Sequence, residues 1–309
     1  MNRHIPRCLI AACLLLVAID AAVSFAQEPA KEKAPAAQTA PVRNEKWPSI
    51  AASSPGLFVN GWPAFTVAYP PDWIERNPDN PGGVFQVVAP GPFQSPALSI
   101  SVFSLQAPVE QLAAIVVPSL QKAGRDVKVT TEKSAKLKSG ASAYEVEIDW
   151  THPSGVNLNT VFFATKKEQT WVMLALTNAM GKVGDDLKSI AYSLAFREDK
   201  EDPVKVPDDI QSFLKEWSNA VVEHDLDAVM DCYSDKFLHN GRNKQAIRQF
   251  YESVILSVES FDPVATVLEA QGDKVWLSGF VAANMGRQPI GNLCMAKENG
   301  KWKWYGNQK

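Results

Sequence analysis

The spacing of apolar residues predicts two blocks of regular structure in this chain. In the first block most apolar residues recur at every second position, which is the period of a half-buried β-strand. The predicted strands cover residues 65–69, 84–89, 97–105, 127–137, 141–150, 156–165 and 170–177. Helical spacing appears at 109–123, where Pro118 is expected to kink or end the helix, and again at 185–196. Successive strands with short connections predict an antiparallel sheet whose faces are covered by helices.

In the second block the order is reversed, with helices first and strands afterwards. The first helix begins at Asp208, whose spacing to Gln211 resembles a capping box, and further helices are predicted over 226–233 and 243–257. The predicted strands are 263–270, 274–282, 288–297 and 301–305, the last two joined by the turn Glu298-Asn299-Gly300. This order predicts a separate α+β domain.

The chain begins with the layout of a secretory signal peptide. A short basic start with Arg3 and Arg7 precedes an apolar run from Cys8 to Ile19, which is too short to span a bilayer. Small residues at Ser24 and Ala26 then fit cleavage before Gln27. We therefore expect residues 1–26 to be removed and the mature protein to be periplasmic or secreted, with no transmembrane segment.

Two alternatives stay open for this end of the chain, a retained anchor and a lipid-modified Cys13. A lipoprotein signal carries its apolar run before the cysteine, whereas most of this run follows Cys13. The next segment, 27–49, is rich in Ala, Pro and Lys and is predicted to be a disordered linker. A second, charged linker at 198–206 separates the predicted domains 50–197 and 207–309.

Charge and motif content exclude several classes of function. The 31 Lys and Arg residues and 34 Asp and Glu residues give a net charge of −3. This charge does not favour binding to nucleic acid or to an anionic membrane. No Gly-rich phosphate loop, HExxH, EF-hand or paired C-x-x-C motif occurs in the sequence, so we predict no cofactor and no metal. After signal removal Cys232 and Cys294 stay, either as a disulfide or as two buried thiols.

Several segments of the first block resemble the PsbP-like superfamily. The resemblance rests on 65–73 (FTVAYPPDW), on the central hairpins and on 187–194 (LKSIAYSL), and it covers about residues 57–197. It implies an antiparallel sheet covered by helices and a non-enzymatic binding or assembly module. His152, in the turn HPSG, is interpreted as a solvated loop histidine.

The second block looks like the nuclear transport factor 2-like (SnoaL-like) superfamily over about residues 206–307. The residues that carry this resemblance are Trp217, 224–227 (HDLD), 232–237 (CYSDKF) and 299–304 (NGKWKW). It implies an α+β cone, in which a curved sheet wraps around three helices and the mouth of the cone is a pocket. Some members of this superfamily are isomerases, dehydratases or cyclases, and many others are binding modules.

The second block also contains the candidate site residues. The predicted ligand-binding residues are Trp217, Tyr233, Phe237, His239, Tyr251, Trp276 and Trp302. If the domain is an enzyme, the acid–base candidates are His239, Tyr233 and Asp235, with His239 the best of them. The alternative interpretation places the aromatic rings in the hydrophobic core and Asp235 in a turn.

Taken together, these patterns predict an exported, non-catalytic accessory protein of the cell envelope with a ligand pocket in its C-terminal domain. Its partner is an unknown small molecule or an envelope peptide or protein. The alternatives are a SnoaL-like isomerase or dehydratase and a purely structural subunit of an envelope complex. Convergence of His239, Tyr233 and Asp235 inside one pocket would favour the enzyme.

Overall fold

The computed structural model is an α+β fold built largely from antiparallel sheets with few helices. It describes residues 56–78, 82–91, 94–197, 202–284 and 286–307. The predicted signal peptide and the linker at 27–49 lie outside the described residues. Within these ranges, none of the helices has the length and apolar character needed to cross a membrane.

The N-terminal module, residues 57–196, is centred on a seven-stranded antiparallel sheet with the order β3-β4-β5-β9-β8-β7-β6. Its strands are β3 (Ile74–Arg76), β4 (Gly83–Val88), β5 (Ala97–Ser104), β6 (Arg125–Lys136), β7 (Ser142–Thr151), β8 (Asn157–Lys167) and β9 (Thr170–Asn178). A smaller sheet contains β1 (Leu57–Asn60), β2 (Phe65–Ala68) and β10 (Ala195–Phe196). The helices are α1 (Leu112–Ala123) and α2 (Asp185–Tyr192).

Each face of the large sheet has its own apolar core. One core joins the sheet to β1, β2 and α2, and the other joins it to α1. Helix α1 continues through Pro118, so it does not end at this residue, which was one of the two predicted effects of the proline. Leu112, Val116 and Leu120 are fully buried against the sheet, and this burial holds the helix together on both sides of the proline.

On the sheet face that carries α2, a row of carboxylates is neutralised by lysines. Glu145 has a fully buried side chain that accepts hydrogen bonds from Lys188 Nζ at 2.9 Å and from the Tyr192 hydroxyl at 2.8 Å. Lys188 also bonds Glu147 at 3.0 Å. Because Lys188 and Tyr192 both belong to α2, these bonds attach the helix to β7.

The C-terminal module, residues 203–306, packs three helices against a six-stranded sheet with the order β12-β11-β16-β15-β14-β13. The helices are α3 (Asp208–Val222), α4 (Leu226–Asp231) and α5 (Lys244–Val254). The strands are β11 (Tyr233–His239), β12 (Arg242–Asn243), β13 (Phe261–Gln271), β14 (Lys274–Ala283), β15 (Gly286–Glu298) and β16 (Lys301–Gly306). All pairs are antiparallel except β11 with β16, which is parallel.

The largest departure from the sequence prediction is at Tyr233. The helix predicted over 226–233 ends at Asp231, and Tyr233 begins strand β11. The change occurs because the backbone of β16 pairs with this segment, with Trp304 N donating to Cys232 O at 2.8 Å. The capping box at Asp208 was also wrong, since Pro207 is the N-cap residue and Asp208 is already helical.

A very close backbone approach joins the two modules at Gly61. A Cβ at this residue would lie 2.7 Å from Ser278 Cβ and 2.9 Å from Val267 Cγ2, so only glycine fits there without displacement. The next residue, Trp62, places its ring 4.9 Å from the ring of Phe280. The loop between β1 and β2 therefore packs on the face of β14 that points away from the helices.

Polar contacts complete the junction between the modules. The Asn240 side chain donates to Gly83 O at 2.9 Å, and the Ser104 hydroxyl donates to Arg287 O. The Arg287 guanidinium also lies 3.8 Å from a Glu168 carboxylate oxygen. The tip of the β11–β12 hairpin and the start of β15 are thus both held against the N-terminal module.

Candidate functional site

Two buried tyrosines meet between the helices and the sheet of the C-terminal module. Tyr233 on β11 and Tyr251 on α5 place their hydroxyl oxygens 3.3 Å apart. Burial raises the pKa of Tyr251 to about 12 and raises the pKa of Tyr233 well above its usual value of 10.0. Both hydroxyls therefore stay protonated at neutral pH and can serve as hydrogen-bond donors.

Two buried tryptophans lie beside the tyrosine pair. The ring of Trp217 on α3 packs edge-on against Trp304 of β16, with centroids 5.1 Å apart. The Nε1 atoms of both rings are buried and have no hydrogen-bond partner among the described residues. The Trp217 N–H is nevertheless close enough to Tyr233 and Tyr251 to oppose the increase in their pKa values. Unsatisfied buried donors cost free energy, so these two atoms are notable in a native core.

The row of aromatic residues continues along β11 toward His239. Tyr233 packs edge-on against Phe237 at 5.0 Å, and Phe237 lies 6.4 Å from the His239 ring. His239 is partly buried, and its Nδ1 atom is fully buried without a partner among the described residues. Burial, assisted by the charge of Arg242, lowers the pKa of His239 to about 4. The imidazole is therefore neutral at physiological pH.

An opening adjoins His239 because β16 is shorter than its neighbours. Strand β16 ends at Gly306, opposite Cys294 of β15 and Leu238 of β11, whereas both neighbouring strands continue. A Cβ added at Gly291 of β15 would meet only one described atom within 4 Å, namely His239 Nε2 at 3.9 Å. As far as the described residues show, free space therefore lies between Gly291 of β15 and His239 at the end of β11.

Arg242 is the positive charge nearest to this opening. It is the cross-strand partner of His239, on the other side of the Asn240-Gly241 turn, in which both residues have positive φ. Its side chain is partly buried, and desolvation lowers the pKa of the guanidinium. No ion pair or side-chain hydrogen bond joins this guanidinium to another residue in the described part of the chain.

The remaining candidates are not part of this group. Asp235 has a side chain that is 94% exposed and pairs with Lys244 at 2.8 Å, so it does not converge with Tyr233 and His239. Trp302 donates from Nε1 to Asp209 at the start of α3. Trp276 alternates with the core residues Val275 and Leu277 and therefore points to the opposite face of β14.

Neither the two buried cysteines nor a separate surface groove adds a reactive group to the site beside His239, as far as the described residues show. Cys232 and Cys294 are both free and buried, which agrees with the second of the two cysteine alternatives. The described residues include no group of three or more His, Cys, Asp or Glu side chains that could hold a metal ion. A separate open groove of about 410 Å³ between α3 and α4 is lined by polar and charged residues such as Lys215, Glu216 and Glu223 and contains none of the predicted site residues.

Sequence reasoning missed Arg242 and Gly291. The signal for Arg242 was present, because Asn240-Gly241 is a typical two-residue hairpin turn, and recognising it would have placed His239 and Arg242 opposite each other. Gly291 had no comparable signal, since its role depends on where β16 ends.

Comparison with known proteins gives a distant likeness of fold. The solution structure of the cyanobacterial PsbP protein (CyanoP) from Synechocystis sp. PCC 6803 is similar with a TM-score of 0.39 and 13% identity, covering 48% of this chain and 96% of that one. A crystal structure from Bacteroides thetaiotaomicron has a TM-score of 0.35 and 16% identity, covering 81% of this chain and 89% of that one. The Bdellovibrio bacteriovorus protein Bd1075 has a TM-score of 0.27 and 10% identity, covering 76% and 91%. No protein-family model and no curated protein sequence matches the chain.

Proposed function

We propose that this protein is an exported accessory protein of the cell envelope that binds a ligand in its C-terminal module and performs no chemistry on it. In this proposal the N-terminal module is a PsbP-like binding or assembly module. The C-terminal module is a nuclear transport factor 2-like cone whose mouth is the opening beside His239. Export rests on the predicted signal peptide, with cleavage after Ala26.

The observation that carries the proposal is the free space between Gly291 and His239, next to a row of buried polar atoms. The imidazole of His239 lies at this space, and the hydroxyls of Tyr233 and Tyr251 and the Trp217 N–H are buried further along the same row of aromatic residues. Apolar walls with a few convergent polar groups are the usual composition of a small-molecule site.

The same geometry favours binding over catalysis. General acid–base chemistry at neutral pH needs a group with a pKa near 7, whereas His239 has a pKa of about 4 and Tyr251 of about 12. Asp235, the carboxylate required by the isomerase or dehydratase alternative, faces solvent beside Lys244. The site therefore offers hydrogen bonds and shape without a proton-transfer pair.

Retention of compounds from a native source tests this proposal. The immobilised protein is incubated with an envelope extract, washed and denatured, and the released small molecules are identified by mass spectrometry. Gly291→Leu places a side chain in the opening, and because residue 291 lacks a positive φ the backbone accepts it. We expect a compound that wild type and Arg248→Gln retain and that Gly291→Leu loses. Identical retention by all three proteins, or none by wild type, would show that this opening is not a ligand site.

A further inference from the structure

Arg242 carries a positive charge that has no partner among the described residues and that the proposed function does not yet explain. Every other partly buried cation discussed above has a carboxylate in contact, as Lys188 has Glu145 and Lys244 has Asp235. Arg242 has no such contact among the described residues. A partly desolvated guanidinium without a counter-charge is less favourable than a paired one, and its position beside an open space leaves room for an anion.

The local structure holds Arg242 next to His239. The two residues are directly opposite each other at the closing pair of a two-residue hairpin, so their side chains lie on the same face of β11 and β12. Asn240, within the turn, is fixed by its bond to Gly83 O and by hydrogen bonds with Asn307. The hairpin therefore presents an imidazole and a guanidinium on a rigid support.

We propose that His239 and Arg242 recognise a carboxylate on the ligand of the C-terminal module. This inference rests on the proposed function and specifies the chemical class of the ligand. A guanidinium binds a carboxylate through two parallel N–H bonds, and a neutral imidazole adds one further N–H donor. His239 Nε2 is the ring atom that lies next to the free space at Gly291, so the tautomer with its proton on Nε2 would supply this donor.

A carboxylate fits better than a phosphate because of charge. The opening provides one positive charge, that of Arg242, since His239 is neutral and Lys244 is occupied by Asp235. A phosphate monoester carries about −1.5 to −2 at neutral pH and would be left partly uncompensated. The apolar ring of Phe237 lies 6.4 Å from the His239 ring, so the part of the ligand next to its carboxylate is expected to be apolar.

Titration with 4-phenylbutyrate and its uncharged analogue 4-phenylbutanamide tests the inference. The purified protein carries histidine labelled at Cε1, and the His239 resonance is assigned by its loss in His239→Gln. We expect 4-phenylbutyrate to shift the His239 resonance saturably and the amide to bind about tenfold more weakly or worse, because charge-assisted hydrogen bonds to Arg242 are lost.

Variants of the two arginines separate a specific contact from a general charge effect. Arg242→Gln should weaken 4-phenylbutyrate about tenfold and leave the amide unchanged, and Arg242→Lys should restore part of the difference. Arg248→Gln is the matched control, since Arg248 lies on α5 and is already paired with Asp227 and Glu252. Circular dichroism checks that each variant is folded.

Several outcomes would overturn the inference. Equal affinities for acid and amide, equal effects of Arg242→Gln and Arg248→Gln, or no shift of His239 up to the solubility limit would each exclude carboxylate recognition at this site. Tighter binding of phenyl phosphate than of 4-phenylbutyrate would reassign the anion to the phosphate class. None of these results decides the proposed function, because retention of an uncharged compound that Gly291→Leu abolishes would still support a ligand site.

Discussion

The side-chain nitrogen of Asn240 lies 2.9 Å from the carbonyl oxygen of Gly83, and this hydrogen bond joins the β11–β12 hairpin to the N-terminal module. The same residue has a φ of 48° and forms the turn together with Gly241. One side chain therefore contributes both to the shape of the hairpin and to the junction between the modules. These two contributions can be separated by substitution.

Asn240→Gly keeps the turn and removes the side-chain bonds, so we expect the free energy of unfolding to fall by about 1–2 kcal/mol. Asn240→Ala should cost roughly 1 kcal/mol more, because a Cβ disfavours positive φ. Urea unfolding measures both values. The control is Asn299→Gly, at an exposed turn residue with a φ of 51°, and a loss as large there as at Asn240 would contradict the role of the Gly83 bond.

The second prediction concerns the buried ion pair that attaches α2 to the large sheet. Lys188→Met leaves the fully buried Glu145 with Lys133, at 3.5 Å, as its one charged partner among the described residues, and we expect a loss of about 3 kcal/mol in unfolding free energy. Lys182→Met is the matched control, because Lys182 is 57% exposed and its pair with Asp149 should contribute less than about 1 kcal/mol. Similar losses in the two variants would refute this distinction between buried and exposed pairs.

The third prediction is a dependence of stability on pH that comes from His239. Its pKa is about 4 in the folded protein and near 6.5 when unfolded, so the unfolded state binds the proton more readily. The contribution of the neutral imidazole is complete above pH 6.5 and is lost as the pH falls to about 4. The full loss is about 3 kcal/mol relative to His239→Gln.

Unfolding free energies of wild type and His239→Gln, measured between pH 7 and 4, test this dependence. The wild-type values should decline more steeply, and the His239 Cε1 resonance should show a midpoint well below 6. A midpoint near 6.5 would mean that the imidazole is solvated and that the surroundings of His239 are more open than described.

The fourth prediction is that the mature protein carries two free thiols. Cys232 and Cys294 are unpaired, and burial raises the pKa of each to about 12, so neither forms a reactive thiolate at neutral pH. Thiol counting on the unreduced protein should give two in denaturant and almost none without it. A count of zero in denaturant would indicate a disulfide.

The fifth prediction concerns export. If the first 26 residues are a signal peptide, the intact mass of the protein recovered from the periplasm or medium should correspond to a chain beginning at Gln27. Ser24→Glu, which replaces the small residue at position −3, should slow this processing. A mature protein that begins with a lipid-modified Cys13 would instead identify a lipoprotein.

Local patterns predicted most of the strands but not the strand that supports the site. Strand β5 alternates along most of its length and β9 is a continuous apolar run, and the ends of both were predicted to within one residue. Tyr233 continues the helical spacing of α4, and the charged Asp235 and Lys236 follow it, so the pattern predicted the end of a helix and a turn in place of strand β11. The segment becomes a strand through parallel pairing with β16, about seventy residues later, which no local pattern reports.

The sequence also could not predict which face of strand β14 carries Trp276. Alternation places Trp276 opposite Leu277, but it does not tell which of two apolar faces meets the helices. Both faces of β14 are covered, one by the helices and the other by the loop that contains Trp62. Trp276 was therefore assigned to the ligand site although it lies on the face toward the N-terminal module.

The missing side chain at Gly61 also restricts how this sequence can vary. Residue 61 and residue 278 share a space that holds one Cβ, because a second one at residue 61 would lie 2.7 Å from that of Ser278. A change of Gly61 to alanine is therefore expected to be accepted only with a compensating Ser278→Gly and a displacement of the Val267 side chain, whose Cγ2 would lie 2.9 Å from the new Cβ. Among homologues residues 61 and 278 should covary although they are more than two hundred residues apart. Such covariation would be evidence, from sequences alone, that the two modules are in contact.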